Sequence, residues 1–231
     1  MSRDEEYRDQ LLSSIDEEAL EWMRERSLEY LRLMSYYRCA MMEIETKFKV
    51  LREEYSLKQD RNPINSIRTR LKSPKSIREK LERLGHDISI ENIEQNLNDV
   101  AGVRVICAFK EDVFTLAGAL LKQDDVTLLQ TKDYIKNPKE NGYRSLHMIV
   151  TIPIYLAHEK REMKVEVQFR TIAMDSWASM EHQIVYKKDV ELTAEMQKEL
   201  DECANLSATL DEKMDNLRKQ LFEKNCVIKP E

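Results

Sequence analysis

Glycine and proline are scarce here, four and five residues in a chain of 231, which excludes collagen-like and low-complexity architectures. No apolar run approaches the ~20 residues that a membrane helix requires. The acidic opening Met1-Ser2-Arg3-Asp4-Glu5-Glu6 lacks the apolar core of a signal peptide. The expectation is a cytoplasmic protein without a membrane partner. Cysteine is sparse as well, and Cys39, Cys107, Cys203 and Cys226 form no C-x-x-C pair. Neither a zinc site nor a disulfide framework follows from that spacing. Positive charge is in deficit too, with a formal net charge of −6. A surface built to neutralise duplex DNA is thereby excluded, although a local basic cleft is not.

What the chain does hold is 42% hydrophobic and 35% charged residues, the composition of a folded, strongly helical protein. After a capping-box pattern at Ser14 and Glu17, apolar residues recur at Leu20, Met23, Tyr30, Met34, Tyr37, Met41, Ile44, Phe48 and Leu51. The spacing predicts a helix over 16–57, roughly 60 Å long at 1.5 Å per residue. A second stripe runs through Leu192, Met196, Leu200, Cys203, Leu206, Leu210, Met214, Leu217 and Leu221. Each stripe needs a partner face, supplied either by the central domain or by another subunit, and the length of the first points to a homo-oligomer. The pattern divides the chain into an N-terminal helical region over 1–60, a core over 61–190 and a C-terminal helix over 191–231.

Within the core, β-branched enrichment and alternation predict strands over 103–108, 126–129, 146–153 and 165–169. Helices are predicted over 76–84, 90–98, 111–122 and 173–185, so the class is α+β or α/β with a mixed sheet.

Four stretches could carry chemistry. In the run from Ser66 to Lys80, cations and hydroxyls precede a helix beginning near Ser76. Free N–H groups at a helix start, flanked by Arg70, Lys72 and Lys80, suit a polyphosphate, whereas a solvated basic face is the plainer reading. Next, Asn98-Asp99-Val100-Ala101-Gly102-Val103-Arg104-Val105 sets an acid at the edge of an apolar strand. Asp99 could coordinate Mg²⁺, and Arg104 could stack on a base or grip phosphate. In Val165-Glu166-Val167-Gln168-Phe169-Arg170, alternation buries the valines and the phenylalanine and collects Glu166, Gln168 and Arg170 on the other face. Glu166 could complete a magnesium site or accept a proton from an attacking hydroxyl; a half-exposed strand would look the same. Finally, the lysine-rich loop from Lys132 to His147 offers cations for phosphate and, after Gly142, the ring of Tyr143 for a base.

In order, Arg-x-Lys-Ser-Pro, Asn-Asp-Val-Ala-Gly-Val-Arg-Val, Gly-Tyr-Arg-Ser-Leu-His and Val-Glu-Val-Gln-Phe-Arg-Thr resemble the synthetase domain of the RelA/SpoT family. With a helix at each end and no regulatory domain, the chain is similar to a stand-alone small alarmone synthetase of the RelP or RelQ kind. That resemblance implies an α+β, nucleotidyltransferase-like sheet flanked by helices. It further implies transfer of the β,γ-pyrophosphate of ATP to the 3′-hydroxyl of GDP or GTP, with AMP as the other product and Mg²⁺ as cofactor. Arg70 and Arg104 would sandwich adenine, and Lys72, Ser76, Lys80 and Arg83 would hold the ATP phosphates. Asp99 would bind Mg²⁺, and Glu166 would share the metal or activate the hydroxyl. Tyr143 would stack on guanine, with Lys132, Lys139, His147 and Gln168 around that nucleotide. A homotetramer and regulation by alarmone or single-stranded RNA are implied as well.

The chain carries Asp175-Ser176 where relatives often have Asn-Phe, which puts a nucleotide contact from that helix in question; Trp177, Glu181 and His182 are read as structural. His86-Asp87 is the one histidine–aspartate pair that alarmone hydrolysis could use, and no further ligand lies at metal-binding spacing, so no hydrolase activity is expected. A different nucleotidyltransferase, or a nucleotide- or RNA-sensing protein on the same fold, is the competing reading.

Overall fold

The computed structural model describes residues 27–58, 61–185 and 193–227. Helix α1 (Ser27–Lys58) opens the described chain. Its three–four spacing buries Tyr30, Leu33, Met34, Tyr37, Met41, Ile44 and Phe48 against the central strands of the sheet. The Phe48 ring meets Phe169 edge to face at 5.6 Å. Of the two partners open to this stripe, the described part takes its own sheet; Leu20 and Met23 lie outside the described residues.

Five strands follow in the spatial order β1-β2-β5-β4-β3. They are β1 (Ile64–Leu71), β2 (Ala101–Cys107), β3 (Thr127–Asp133), β4 (Leu146–Tyr155) and β5 (Lys160–Thr171). Only β2 and β5 pair in parallel, so the sheet is mixed and the fold is α+β. Shorter helices fill the connections: α2 (Pro74–Arg83), α3 (Ile90–Asn96), α4 (Lys110–Leu121) and α5 (Ile172–Val185), with α6 (Ala194–Val227) last.

Strand β1 departs from the expectation, because its residues read as a basic run leading to a helix. A register shift between Ile64 and Ser66 breaks the alternation that betrays a strand. Beyond it, Ile67 and Leu71 are half-buried while Arg68 and Arg70 are exposed. Helix α2 starts at Pro74 rather than near Ser76. Ser73 caps it, its hydroxyl accepting from the Ser76 N–H at 3.2 Å, and proline occupies the first turn, where its missing donor costs nothing. Edge strand β3 continues past its predicted end because Gln130, Thr131 and Lys132 are exposed and carry no apolar signal.

On helix α6 the described part of the apolar stripe does not take the central domain as its partner face. Leu206, Leu210, Met214, Leu217 and Leu221 are all exposed, whereas Ala204, Asp211 and Asp215 are buried. Thr171 Oγ1 donates to Asp211 at 2.6 Å, and Arg218 pairs with Glu111. The small and polar side of the helix therefore meets the core. Leu192 falls outside the described residues.

Candidate active site

Strand alternation places two cross-strand rows on the sheet face opposite α1. In one, Arg70, Gly102 and Glu166 are register neighbours. In the next, Arg68, Arg104, Gln168, His147 and Lys132 follow one another across all five strands. The first four of that row, with Arg70, Gly102, Glu166 and Asp99, line a cleft of about 530 Å³, within the range of small-ligand sites.

Asp99 is carried by the turn between α3 and β2. Leu97 and Val100, both fully buried, pin that turn from either side, and the Lys72 N–H donates to the Val100 carbonyl at 2.8 Å. Lys72 Nζ sits 2.9 Å and Lys80 Nζ 2.7 Å from the two Asp99 oxygens. Burial opposes the Asp99 charge, but the hydrogen bonds and positive charge of Lys80 and Lys72 outweigh it and hold the carboxyl below the usual range.

Glu166 faces the cleft with different company. His147 Nδ1 lies 3.1 Å from Oε1, and Gln168 Nε2 donates to Oε2 at 2.8 Å. Burial again opposes ionisation, yet His147 and Gln168 lower the pKa overall against the repulsion of the nearby Asp99 charge. Both residues line one cleft, which puts the carboxylates on the same side of the sheet.

Tyr143 approaches from the β3–β4 loop. Its hydroxyl lies 2.9 Å from His147 Nε2 and accepts from Arg170 at 2.8 Å. Lys139 Nζ stands 4.9 Å from the ring centres of both Tyr134 and Tyr143. Gly142 has φ +78°, and a β-carbon there would come 2.5 Å from Ala204 Cβ on α6.

The remaining expected residues stand further off. Ser76 is in the first turn of α2, its hydroxyl 3.0 Å from that of Ser73. Arg83, at the end of α2, and Lys132, on β3, are exposed and do not line the cleft.

Three residues carry more than the sequence suggested. Arg68 lines the cleft beside Arg104. Buried Asp175, in the first turn of α5, meets Arg170 at 2.9 Å and Arg104 and Arg68 each at 3.3 Å. Arg170, foreseen only as a polar-face residue, is itself buried. The Arg68-Thr69-Arg70 alternation could have revealed the first once β1 was read as a strand. Asp175 has no such signal, because its partners lie on three strands. Trp177 is buried with Ala178 and Ala204, and Glu181 accepts from Asn141 at 3.2 Å.

Among the described residues no group of three or more His, Cys, Asp or Glu is arranged to hold a metal. Mg²⁺ needs no such cage, since it usually binds one or two carboxylates together with substrate phosphates. Asp99 and Glu166, both ionised in one cleft, fit a cation that arrives with a nucleotide.

Residues 69–191 match the family described as "Region found in RelA / SpoT proteins". The chain is 40% identical over 185 residues, 80% of its length and 88% of the relative's, to GTP pyrophosphokinase YwaC of Bacillus subtilis. It is similar to the crystal structure of the small alarmone synthetase 1 from B. subtilis bound to its product pppGpp, with TM-score 0.76 and 33% identity over 83% of this chain and 97% of that one. It is also similar to that enzyme bound to AMPCPP, with TM-score 0.72 and 29% identity over 84% and 98% of the two chains. A mixed five-stranded sheet with a polar cleft on one face, and likeness over most of the length of these enzymes, lead to one conclusion: the chain belongs to the RelA/SpoT family.

Proposed function

We propose that the protein is a GTP pyrophosphokinase that makes alarmone. The single observation that carries this reading is the pair of ionised carboxylates in one cleft, Asp99 held by two lysines and Glu166 by His147 and Gln168. In the reaction, the ribose 3′-oxygen of GDP or GTP bonds to the β-phosphorus of ATP. The bond from that phosphorus to the α,β-bridging oxygen breaks, AMP departs with the oxygen, and Glu166 takes the hydroxyl proton.

Arg70 and Arg104, on adjacent strands at the cleft, grip the adenine. Lys72, Ser76 and Lys80 hold the ATP phosphates, with Arg83 at the outer margin. Polyphosphate oxygens can replace Asp99 as the partner of Lys72 and Lys80, releasing the carboxylate. Asp99 with Glu166 would hold Mg²⁺, which when bound would supply neutralisation of phosphate charge. Tyr143 supplies the guanine platform, and Lys132, Lys139, His147 and Gln168 surround that nucleotide. Little covalent chemistry falls to the protein; alignment and charge neutralisation supply the acceleration.

The exposed apolar side of α6 supports a homo-oligomer, with the tetramer as our preferred state, since contiguous exposed apolar surface marks association. A cytoplasmic location suits substrates that are nucleoside polyphosphates.

The test is incubation with Mg²⁺, γ-labelled ATP and GDP or GTP, followed by separation of the products. Label on the guanosine 3′-position is expected. Release of the label only as inorganic phosphate, or its absence from any guanosine product, overturns the reading.

A further inference from the structure

Seven side chains of the site close into a ring of hydrogen bonds. Starting at Asp175 Oδ1, the ring passes through Arg170 (2.9 Å) to the Tyr143 hydroxyl (2.8 Å) and on to His147 Nε2 (2.9 Å). From His147 Nδ1 it continues to Glu166 (3.1 Å), Gln168 (2.8 Å) and Arg104 (3.4 Å), and returns to the same Asp175 oxygen at 3.3 Å. No pairwise reading of the sequence anticipates that circuit, which ties the first turn of α5 to a carboxylate in the middle of β5.

The chemistry of the members allows one continuous direction around the ring. A guanidinium can only donate, so the Tyr143 oxygen accepts from Arg170, and its single proton is free to go to His147 Nε2. With Nε2 accepting, the imidazole carries its proton on Nδ1, which donates to Glu166 Oε1. Oε2 accepts from the Gln168 amide, whose own oxygen faces Arg104. Both guanidiniums end on Asp175. No donor faces a donor and no acceptor an acceptor, so the arrangement is self-consistent around the whole circuit.

We propose that Asp175 and Arg170 are positioning residues: acting through the Tyr143 hydroxyl and His147, they set the imidazole tautomer that aims Glu166 at the nucleotide hydroxyl. The inference rests on the reading of Glu166 as the proton acceptor. Each Glu166 oxygen is anchored by one donor and keeps a lone pair for the substrate. The Tyr143 hydroxyl thereby acquires a task separate from that of its ring, and the guanine platform is joined to the base by one imidazole. Asp175 also gathers Arg68 and Arg104 at the other side of the cleft.

Two measurements on the full-length protein test this. In long-range ¹H–¹⁵N spectra without nucleotide, His147 is expected as the Nδ1–H tautomer, with its Nε2 signal displaced by Tyr143→Phe; an Nε2–H tautomer in the unsubstituted protein overturns the proposal. In kinetics, Tyr143→Phe keeps the ring, so KM for the guanine nucleotide should stay within about two-fold while kcat falls roughly ten- to a hundred-fold. Asp175→Asn should lower kcat comparably, with partial recovery in Asp175→Glu. Unchanged kcat in Tyr143→Phe, or a loss confined to KM, also overturns the proposal. Should Asp175→Asn fail to fold, Tyr143→Phe and the spectra still decide. Failure of the unsubstituted protein to make 3′-labelled product would sink the functional reading instead, and the tautomer would then judge the circuit alone.

Discussion

Asp99 and Glu166 line one cleft and are both held in the charged form, yet opposite means achieve it. Around Asp99 stand two ammonium groups on flexible stems, Lys72 and Lys80, point charges that a polyphosphate can draw away. Around Glu166 stand an imidazole and an amide, each committed to a defined direction and braced by a further partner. The first carboxylate is arranged to exchange partners and the second to keep them. A site for two nucleotides needs both kinds, one that yields as charge arrives and one that stays put while a proton moves.

The largest expected effect comes from Glu166→Gln, which removes the proposed proton acceptor but little volume. Here kcat should fall about 10²- to 10⁴-fold with ATP affinity largely kept, measured by product formation and by equilibrium binding. Unaltered turnover would end the distinction between the two carboxylates. Asp99→Asn comes next. It should raise the Mg²⁺ concentration needed for half-maximal rate by about ten-fold or more without raising KM for ATP, because Lys72 and Lys80 are released for phosphate. Lys80→Met should raise KM for ATP about ten-fold with a smaller change in kcat, as loss of one charge-assisted contact predicts. An equal loss in kcat would show that Lys80 is fixed rather than exchangeable.

The smallest effect is a shift in pH dependence. His147 lowers the Glu166 pKa, so in His147→Gln the carboxyl should protonate at a higher pH and the acid limb of the kcat profile should move upward. Lys80→Met should leave the Glu166 limb in place. The sign for stability runs the same way. Both carboxylates have depressed folded-state pKa values, so their contribution is complete above the unfolded value and disappears as pH falls through the folded one. Acid titration of the folded fraction, with Asp99→Asn and Glu166→Gln in parallel, checks it.

Much of this site was legible in the sequence where a residue's role is set by its own strand. Glu166 and Gln168 fall on the polar face because Val165, Val167 and Phe169 are buried, and period-two alternation alone says so. Arg68 was missed because a register shift hides β1, and Asp175 because its three arginine partners come from β1, β2 and β5. The two long helices make the same point about packing. Both carry a three–four apolar stripe, but α1 turns its stripe to the sheet while α6 presents Ala204, Asp211 and Asp215 to the core and leaves its leucines exposed. Periodicity shows that a helix has an apolar side without saying which surface that side meets, and only the hydrogen bond of Asp211 to Thr171 and similar long-range contacts decide it.

The close approach of Gly142 to Ala204 leaves no room for even one added carbon. Arg144 rivets the same joint, donating to the Gly142 carbonyl at 3.1 Å and the Ala204 carbonyl at 3.3 Å. Helix α6 and the loop bearing Tyr143 are thus joined by close packing and by two hydrogen bonds from one guanidinium. The helix that carries the exposed leucines is thereby packed one residue away from the ring of Tyr143.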